Sequence, residues 1–315
     1  MKVRVGYGLG TRTPLEPDGF FELVDGLEGH GFDSLWLSER VAGPVPDPLI
    51  GLAVAAGRTR KLKLGTSVLV LPGRNPVLLA KELASLDLLS DGRLLPAFGL
   101  GIADPAEQQA FGVERAERAA WFDEALPLIR RLWTEDSVDH EGPRFSFHGL
   151  RVRPKPAQSP PDVWLGGRAP SELRRVGRLG DGWLPSFCTP AEAAAGREIV
   201  DEAAAAAGRA LDPEHYGAMV FYARAGIPDA MAAALAARRP DADPAELVMV
   251  GLPAVRAAIR RFVEVGFSKF VVVPLEDPPS WADELAEAAD MLLPLQATGD
   301  YEPAVVSSAG TATPA

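Results

Sequence analysis

Residues 63–99, KLGTSVLVLPGRNPVLLAKELASLDLLSDGRLLPAFG, run as strand, helix and strand, with the helix crossing between two parallel strands. A β-branched, apolar run ends at Leu71. Asn75 and Pro76 then supply a helix N-cap and a first-turn proline, and the turn Asp91-Gly92 stops the helix before the next apolar run. The same unit recurs on both sides. Upstream, residues 3–8 form a first strand and 34–37 a second. Between them a helix opening near Asp18 places Phe20, Leu23, Val24 and Leu27 on one face and ends at Gly29 and Gly31, and a second helix covers 48–58. Downstream, residues 118–133 form a long helix with Leu126, Ile129, Leu132 and Trp133 at core-facing spacing. Further strands fall at 163–166, 182–184, 218–223 and 270–274, separated by Ala-, Leu- and Arg-rich helical sequence.

Eight such units predict an α/β chain folded as a (β/α)8 TIM barrel, with an insertion around residues 135–161 where the sequence turns proline-rich and FSFHGLRVRP can form a small hairpin. The barrel domain spans 1–295. Residues 296–315, rich in Ser, Thr, Ala and Pro, are expected to be a disordered tail. A doubly wound open sheet is the competing architecture. It requires a dinucleotide fingerprint, yet Gly8-Leu9-Gly10 is followed by Thr13, and Gly99-Leu100-Gly101 by Asp104, where the third glycine belongs.

The 315-residue chain carries a formal charge of −11, which argues against a nucleic-acid partner because phosphate binding needs clustered Lys and Arg. One cysteine, Cys188, excludes an intramolecular disulfide, and MKVRVGYGLG lacks the apolar core of a signal peptide, so a cytoplasmic protein is expected. No apolar run approaches the roughly 20 residues that cross a bilayer. His30, His140, His148 and His215 are scattered without metal-ligand spacing, so no metal site is expected, and no serine sits in a G-x-S-x-G elbow.

In a barrel, chemistry gathers where strands end. After the second strand stand Ser38, Glu39 and Arg40, either a site or a surface ion pair. Thr66 and Ser67 interrupt an apolar strand, as at a bulge or a close approach to a ligand, although a buried hydroxyl bonded to backbone gives the same pattern. Gly99 and Gly101 remove side chains at the fourth strand mouth. Gly166 and Gly167 precede a helix whose first amides, with Arg168 beside them, form a ready phosphate site.

Five blocks, FDSLWLSER (32–40), residues 63–93, ERAAWFDEAL (117–126), PPDVWLGG (160–167) and RLGDGWLP (178–185), resemble in order and spacing those of the bacterial luciferase-like monooxygenase superfamily. The resemblance implies a flavin or deazaflavin ring at the strand mouths, held by Ser38, Thr66, Ser67, Val68, Gly99 and Gly101. Its phosphate end would lie on Gly166, Gly167 and Arg168. It also implies a non-proline cis peptide at Ser67-Val68 that supports one face of the ring. The TSVLVLP and GLG blocks are closest to the deazaflavin-dependent branch, which favours coenzyme F420 and hydride transfer to or from a small organic substrate; the apolar Ile102, beside Phe98 and Ala103, suggests a lipophilic one, and the family resemblance as a whole implies a homodimer. An FMN-dependent monooxygenase fed by a separate reductase is the alternative, and a cofactor-binding protein without catalysis a further one.

Two positions depart from the family. Arg40 stands where many relatives carry histidine, and an arginine, always protonated, cannot shuttle protons. It could stabilise negative charge, leaving Glu39 as the proton donor or acceptor if burial raises its pKa. Ile102 replaces the glutamate of the sugar dehydrogenase branch, which disfavours sugar-phosphate oxidation. The loops 103–117 and 135–161 are expected to line the substrate entrance.

Overall fold

The computed structural model of the chain describes residues 1–10 and 16–297. The first half contains β1 (Arg4–Leu9), α1 (Pro17–His30), β2 (Ser34–Leu37), α2 (Pro48–Arg58), β3 (Lys63–Thr66), β4 (Leu69–Val70), α3 (Pro76–Leu89), β5 (Leu94–Leu95), β6 (Ala97–Gly99), α4 (Pro105–Phe111) and α5 (Arg118–Thr134). A hairpin of β7 (Val138–Glu141) and β8 (Ser146–Leu150) follows. The second half contains β9 (Trp164–Leu165), α6 (Pro170–Leu179), β10 (Gly182–Trp183), α7 (Pro190–Ala206), β11 (Gly217–Ala223), α8 (Asp229–Arg238), α9 (Pro244–Leu247), β12 (Val248–Val250), α10 (Leu252–Glu264), β13 (Lys269–Pro274), α11 (Trp281–Leu292) and α12 (Pro294–Ala297).

Seven parallel strands run in the order β12-β11-β13-β1-β2-β3-β5, and four in the order β10-β9-β6-β4. β4 continues β3 and β6 continues β5, and a parallel bridge between Trp183 and Tyr216 joins β10 to the start of β11. The result is a closed (β/α)8 barrel. Two predicted strands are each split in two: 62–71 at Ser67-Val68, and 94–99 at Pro96, which has no N–H to give but accepts from Trp164 N at 2.9 Å. β12, pairing with the far half of β11, is an element the sequence pattern missed. The expected hairpin exists, but its first strand is residues 138–141, upstream of the stretch expected to form it.

Helix starts follow the local chemistry. Asn75 accepts from the amides of Val77 and Leu78 at 2.9 and 3.3 Å, and Asp47 caps α2 in the same way, each followed by proline. Gly31, at φ 84°, closes α1 in the left-handed conformation. Of the expected disordered tail, residues 298–315 lie outside the described residues. Gln296, its first residue, belongs to α12, and its side-chain oxygen accepts from Val5 N at 2.9 Å. Among the described residues no helix is long and apolar enough to cross a membrane.

Inside the barrel two indoles fill the amino-terminal half. Trp36 and Trp164 are fully buried and meet edge to face with centroids 6.4 Å apart. Glycines make room for them: a Cβ on Gly65 would lie 2.2 Å from the Trp36 ring, and one on Gly182 2.5 Å from the Trp164 ring. Strand β1 alternates accordingly, with Val5, Tyr7 and Leu9 buried against the helices and Gly6 and Gly8 turned inward. The space left is at the carboxyl ends of the strands.

Beneath the indoles, Lys269 at the start of β13 is buried. Its Nζ donates to Asp33 Oδ2 at 2.7 Å and lies 5.9 Å from the Trp36 ring. Burial brings the ammonium down to about 8, against the pull of Asp33. Removing one partner of a buried charge pair costs about 3–5 kcal/mol, so Asp33→Asn should lose about that much in denaturant unfolding, whereas replacing both partners, Asp33→Leu with Lys269→Met, should lose far less.

Candidate functional site

A cavity of about 650 Å³ opens at the carboxyl-end rim. It is lined after β2 by Ser38, Glu39 and Arg40, between β3 and β4 by Ser67 and Val68, after β6 by residues 99–102, and after β9 by Gly166, Gly167 and Arg168. Every sequence-predicted site residue except Thr66 is therefore brought to one cavity.

The Ser67-Val68 peptide bond is cis. The β2 rim holds it on one side: Ser67 N donates to Leu37 O at 2.8 Å, Ser38 Oγ to Ser67 O at 2.8 Å, and Glu39 N to Val68 O at 3.3 Å. On the other side stand two glycines. A Cβ on Gly99 would come within 2.6 Å of Val68 Cγ2, and one on Gly166 within 3.1 Å of Val68 Cγ1. The bareness of these glycines thus makes space for the Val68 side chain, a different reason from direct passage of a ligand over backbone. Gly101 is required by its φ of 79°.

Thr66 is corrected. It is fully buried, and its hydroxyl donates to Ala97 O at 2.7 Å and accepts from Ala97 N at 2.8 Å, taking over the ladder where Pro96 interrupts it. It faces backbone, not the cavity.

Glu39 has both oxygens engaged, Oε2 by Val70 N at 2.7 Å and Oε1 by the Arg74 guanidinium. Burial pushes its carboxyl above the usual range, against Arg74 and the Val70 amide. Arg40 turns to α4, 3.2 Å from Asp104 and 3.5 Å from Glu107. Glu107, 4 % exposed, also accepts from Val41 N at 3.0 Å. Sequence reasoning missed Glu107; its one signal, an acidic residue in the first turn after Asp104-Pro105, also fits an ordinary helix start.

At the far end, the turn after β9 is not bare. Glu172 folds back so that Oε2 accepts from Arg168 N and Ala169 N, both at 2.9 Å. Arg168, Arg175, Arg238 and Arg239 line this end. Arg175 pairs with Asp123 at 2.6 Å, and Arg239 with Glu192 and Asp241. Apolar side chains line the rest of the cavity: Ile102, Met219, Phe221, Met231, Leu235 and Leu275, with Phe187 stacked on Phe221 at a centroid distance of 4.0 Å. Phe187 holds a φ of 49° that nothing in its sequence context announces. Cys188 lies outside this cavity, its thiol pushed up to about 12 by burial. Among the described residues no group of His, Cys, Asp and Glu could hold a metal ion.

An apolar step at Val68, small or polar residues around it, and guanidiniums at one end fit a flat ring bearing a phosphate. The sequence profile described as luciferase-like monooxygenase matches residues 3–268. An F420-dependent glucose-6-phosphate dehydrogenase of Kineococcus radiotolerans is 35% identical over 167 residues, 50% of this chain and 49% of that protein, so the chain spans about half the length of that relative. The monooxygenase RslO1 of Streptomyces bottropensis superposes with a TM-score of 0.74 at 25% identity, covering 92% of this chain and 99% of that one. An F420-dependent secondary alcohol dehydrogenase, crystallised with an F420-acetone adduct, shares the fold with a TM-score of 0.77 at 19% identity, covering 94% and 99%.

Thr66→Val should cost about 1–3 kcal/mol in unfolding free energy, the loss of a satisfied buried hydroxyl, and leave ligand affinity of the cavity unchanged. Arg40→Ala should release α4: hydrogen exchange over residues 103–112 should rise, while that of the barrel strands stays as in the parent.

Proposed function

The chain belongs to the luciferase-like monooxygenase family, and from that membership we propose that it is an oxidoreductase transferring a hydride between coenzyme F420, a deazaflavin, and a small lipophilic organic substrate. The observation that carries this reading is the Val68 side chain standing in the cavity wall beside the cis peptide, with the arginine-lined turn after β9 at one end of the same cavity. Ser38, Ser67, Val68, Gly99 and Gly101 would hold the ring, and Gly166, Gly167 and Arg168 its phosphate end. When bound, a deazaflavin accepts or delivers a hydride, whereas a reduced flavin also activates oxygen.

The chain's own groups bind, orient and exclude water. Glu39 fixes the strand that carries Val68 through the Val70 amide, and Arg40 draws α4 over the mouth. The substrate meets the wall of Ile102, Met219, Phe221, Met231 and Leu275, which offers nothing to a sugar hydroxyl. A sugar phosphate would also need a second cationic site, and the guanidiniums of Arg40, Arg175 and Arg239 are already paired with carboxylates. Lipophilic alcohols or carbonyl compounds are the class this wall suits.

F420 is preferred because the Kineococcus radiotolerans relative is named for it. An FMN-dependent monooxygenase is the second reading, favoured by the likeness to the Streptomyces bottropensis monooxygenase over nearly the whole chain. A cytoplasmic homodimer, drawing reduced cofactor from a separate reductase, completes the proposal.

Calorimetric titration of the apoprotein tests the cofactor first, with one F420 bound per chain at micromolar affinity or better as the expected result. Turnover of reduced F420 with lipophilic carbonyl compounds should be unaffected by oxygen. Substrate-dependent oxygen uptake with reduced FMN would move the assignment to the monooxygenase, and affinity for neither cofactor would sink both.

A further inference from the structure

We propose that Glu172 selects the cofactor: its carboxylate disfavours the phosphomonoester of FMN and tolerates the phosphodiester of a deazaflavin of the F420 type. The inference rests on the functional reading above, which places a cofactor phosphate at the turn after β9.

Glu172 is the third residue of α6. An anion arriving at this helix start would use the free amides of the first turn. The turn that leads into it is already taken: Ala169 N, the N-cap amide, and Arg168 N, one residue before it, donate to Glu172 Oε2 at 2.9 Å. Ala169, the N-cap residue, has no side chain to do this. The carboxylate lies directly over the turn: a Cβ on Gly167, whose φ is 105°, would be 2.8 Å from Glu172 Cβ, Cδ and Oε2. Glu172 is also part of the cavity wall. The place where a phosphate would sit is occupied by a negative charge of the chain itself.

The surrounding charges do not compensate for it. Four guanidiniums line this end, those of Arg168, Arg175, Arg238 and Arg239. Facing them are four carboxylates. Asp123 takes Arg175 at 2.6 Å and is shared with Arg178 at 3.1 Å, Asp241 and Glu192 take Arg239, Glu192 also lies 3.8 Å from Arg168, and the fourth is Glu172. Arg238 alone has no ion-pair partner among the described residues. Arg238 is exposed to solvent, so it offsets neither Glu172 nor an incoming phosphate strongly. A phosphomonoester brings close to two at neutral pH, because its second ionisation lies near pH 6, whereas a phosphodiester brings one. The second charge of FMN therefore adds to the repulsion from Glu172.

The test is calorimetric titration of the apoprotein and of Glu172→Gln and Glu172→Ala with F420, FMN and riboflavin, which carries no phosphate. Glutamine keeps an oxygen for the two amides, so helix capping survives while the charge goes; melting temperatures of both variants verify the fold. Removing the like charge should tighten FMN by about tenfold or more and F420 by about threefold or less, with riboflavin unchanged. An unchanged ratio of FMN to F420 affinity in Glu172→Gln, a gain for riboflavin equal to that for FMN, or weaker binding of both phosphates overturns the proposal and leaves Glu172 as a helix cap. Failure of every variant to bind any of the three ligands instead removes the functional reading, and this inference with it.

Discussion

Trp36 and Trp164 fill the amino-terminal half of the barrel, and what the other half can do depends on that packing. An indole buries about 150–250 Å², too much for a small barrel unless the facing strands carry no side chain there. Gly65 and Gly182 meet that condition, since a Cβ on either would lie 2.2 or 2.5 Å from an indole; one on Gly6 would meet Ser34 at 2.3 Å and Trp36 Nε1 at 3.2 Å. The interior is thus filled below, and the cavity lies above it. Loss of either indole would cost about 3–5 kcal/mol and open the floor of the site.

On this floor the rim is assembled from charges that bind one another. Arg74 holds Glu39, Arg40 holds Asp104 and Glu107, and Glu172 holds two backbone amides. These contacts tie loops from different strands into one collar. The collar leaves the centre of the cavity to Val68, Phe98, Met219 and Phe221, so that its low-dielectric middle is bounded by fixed charge. That arrangement suits a hydride, which is transferred best with water kept out.

Much of this was legible in the sequence, for definite reasons. Parallel strands buried on both faces read as continuous apolar runs, and a proline at the first turn of α1, α2, α3, α6 and α7 marks each helix start. The position of the cis peptide came through resemblance alone; no residue pattern at Ser67-Val68 dictates it. Other features lay beyond a linear reading. β12 is a three-residue strand wedged between α9 and α10, too short to show a period. The direction of Thr66 is set by Pro96, whose missing amide leaves Ala97 to be bonded by a side chain. The partners of Arg40 lie 64 and 67 positions away, at the N-cap and in the first turn of α4. The reach of Glu172 back to the turn was hidden because Ala169 breaks the usual Ser or Thr signature of a capping box.

The replacement of a histidine by Arg40 narrows the chemistry more than it first suggests. A guanidinium keeps its proton, so any proton released or taken up when a substrate changes oxidation state must pass to another group or to water at the mouth. Of the carboxylates in the cavity wall, Glu39 and Glu172 are committed to Arg74 and to backbone amides. Glu107 uses Oε1 for Val41 N and Arg40, and its Oε2 has no partner among the described residues. Under the proposed function such a site would divide its labour: fixed charge would close the rim, a bound ring would carry the electrons, and a proton would be exchanged with solvent at the mouth.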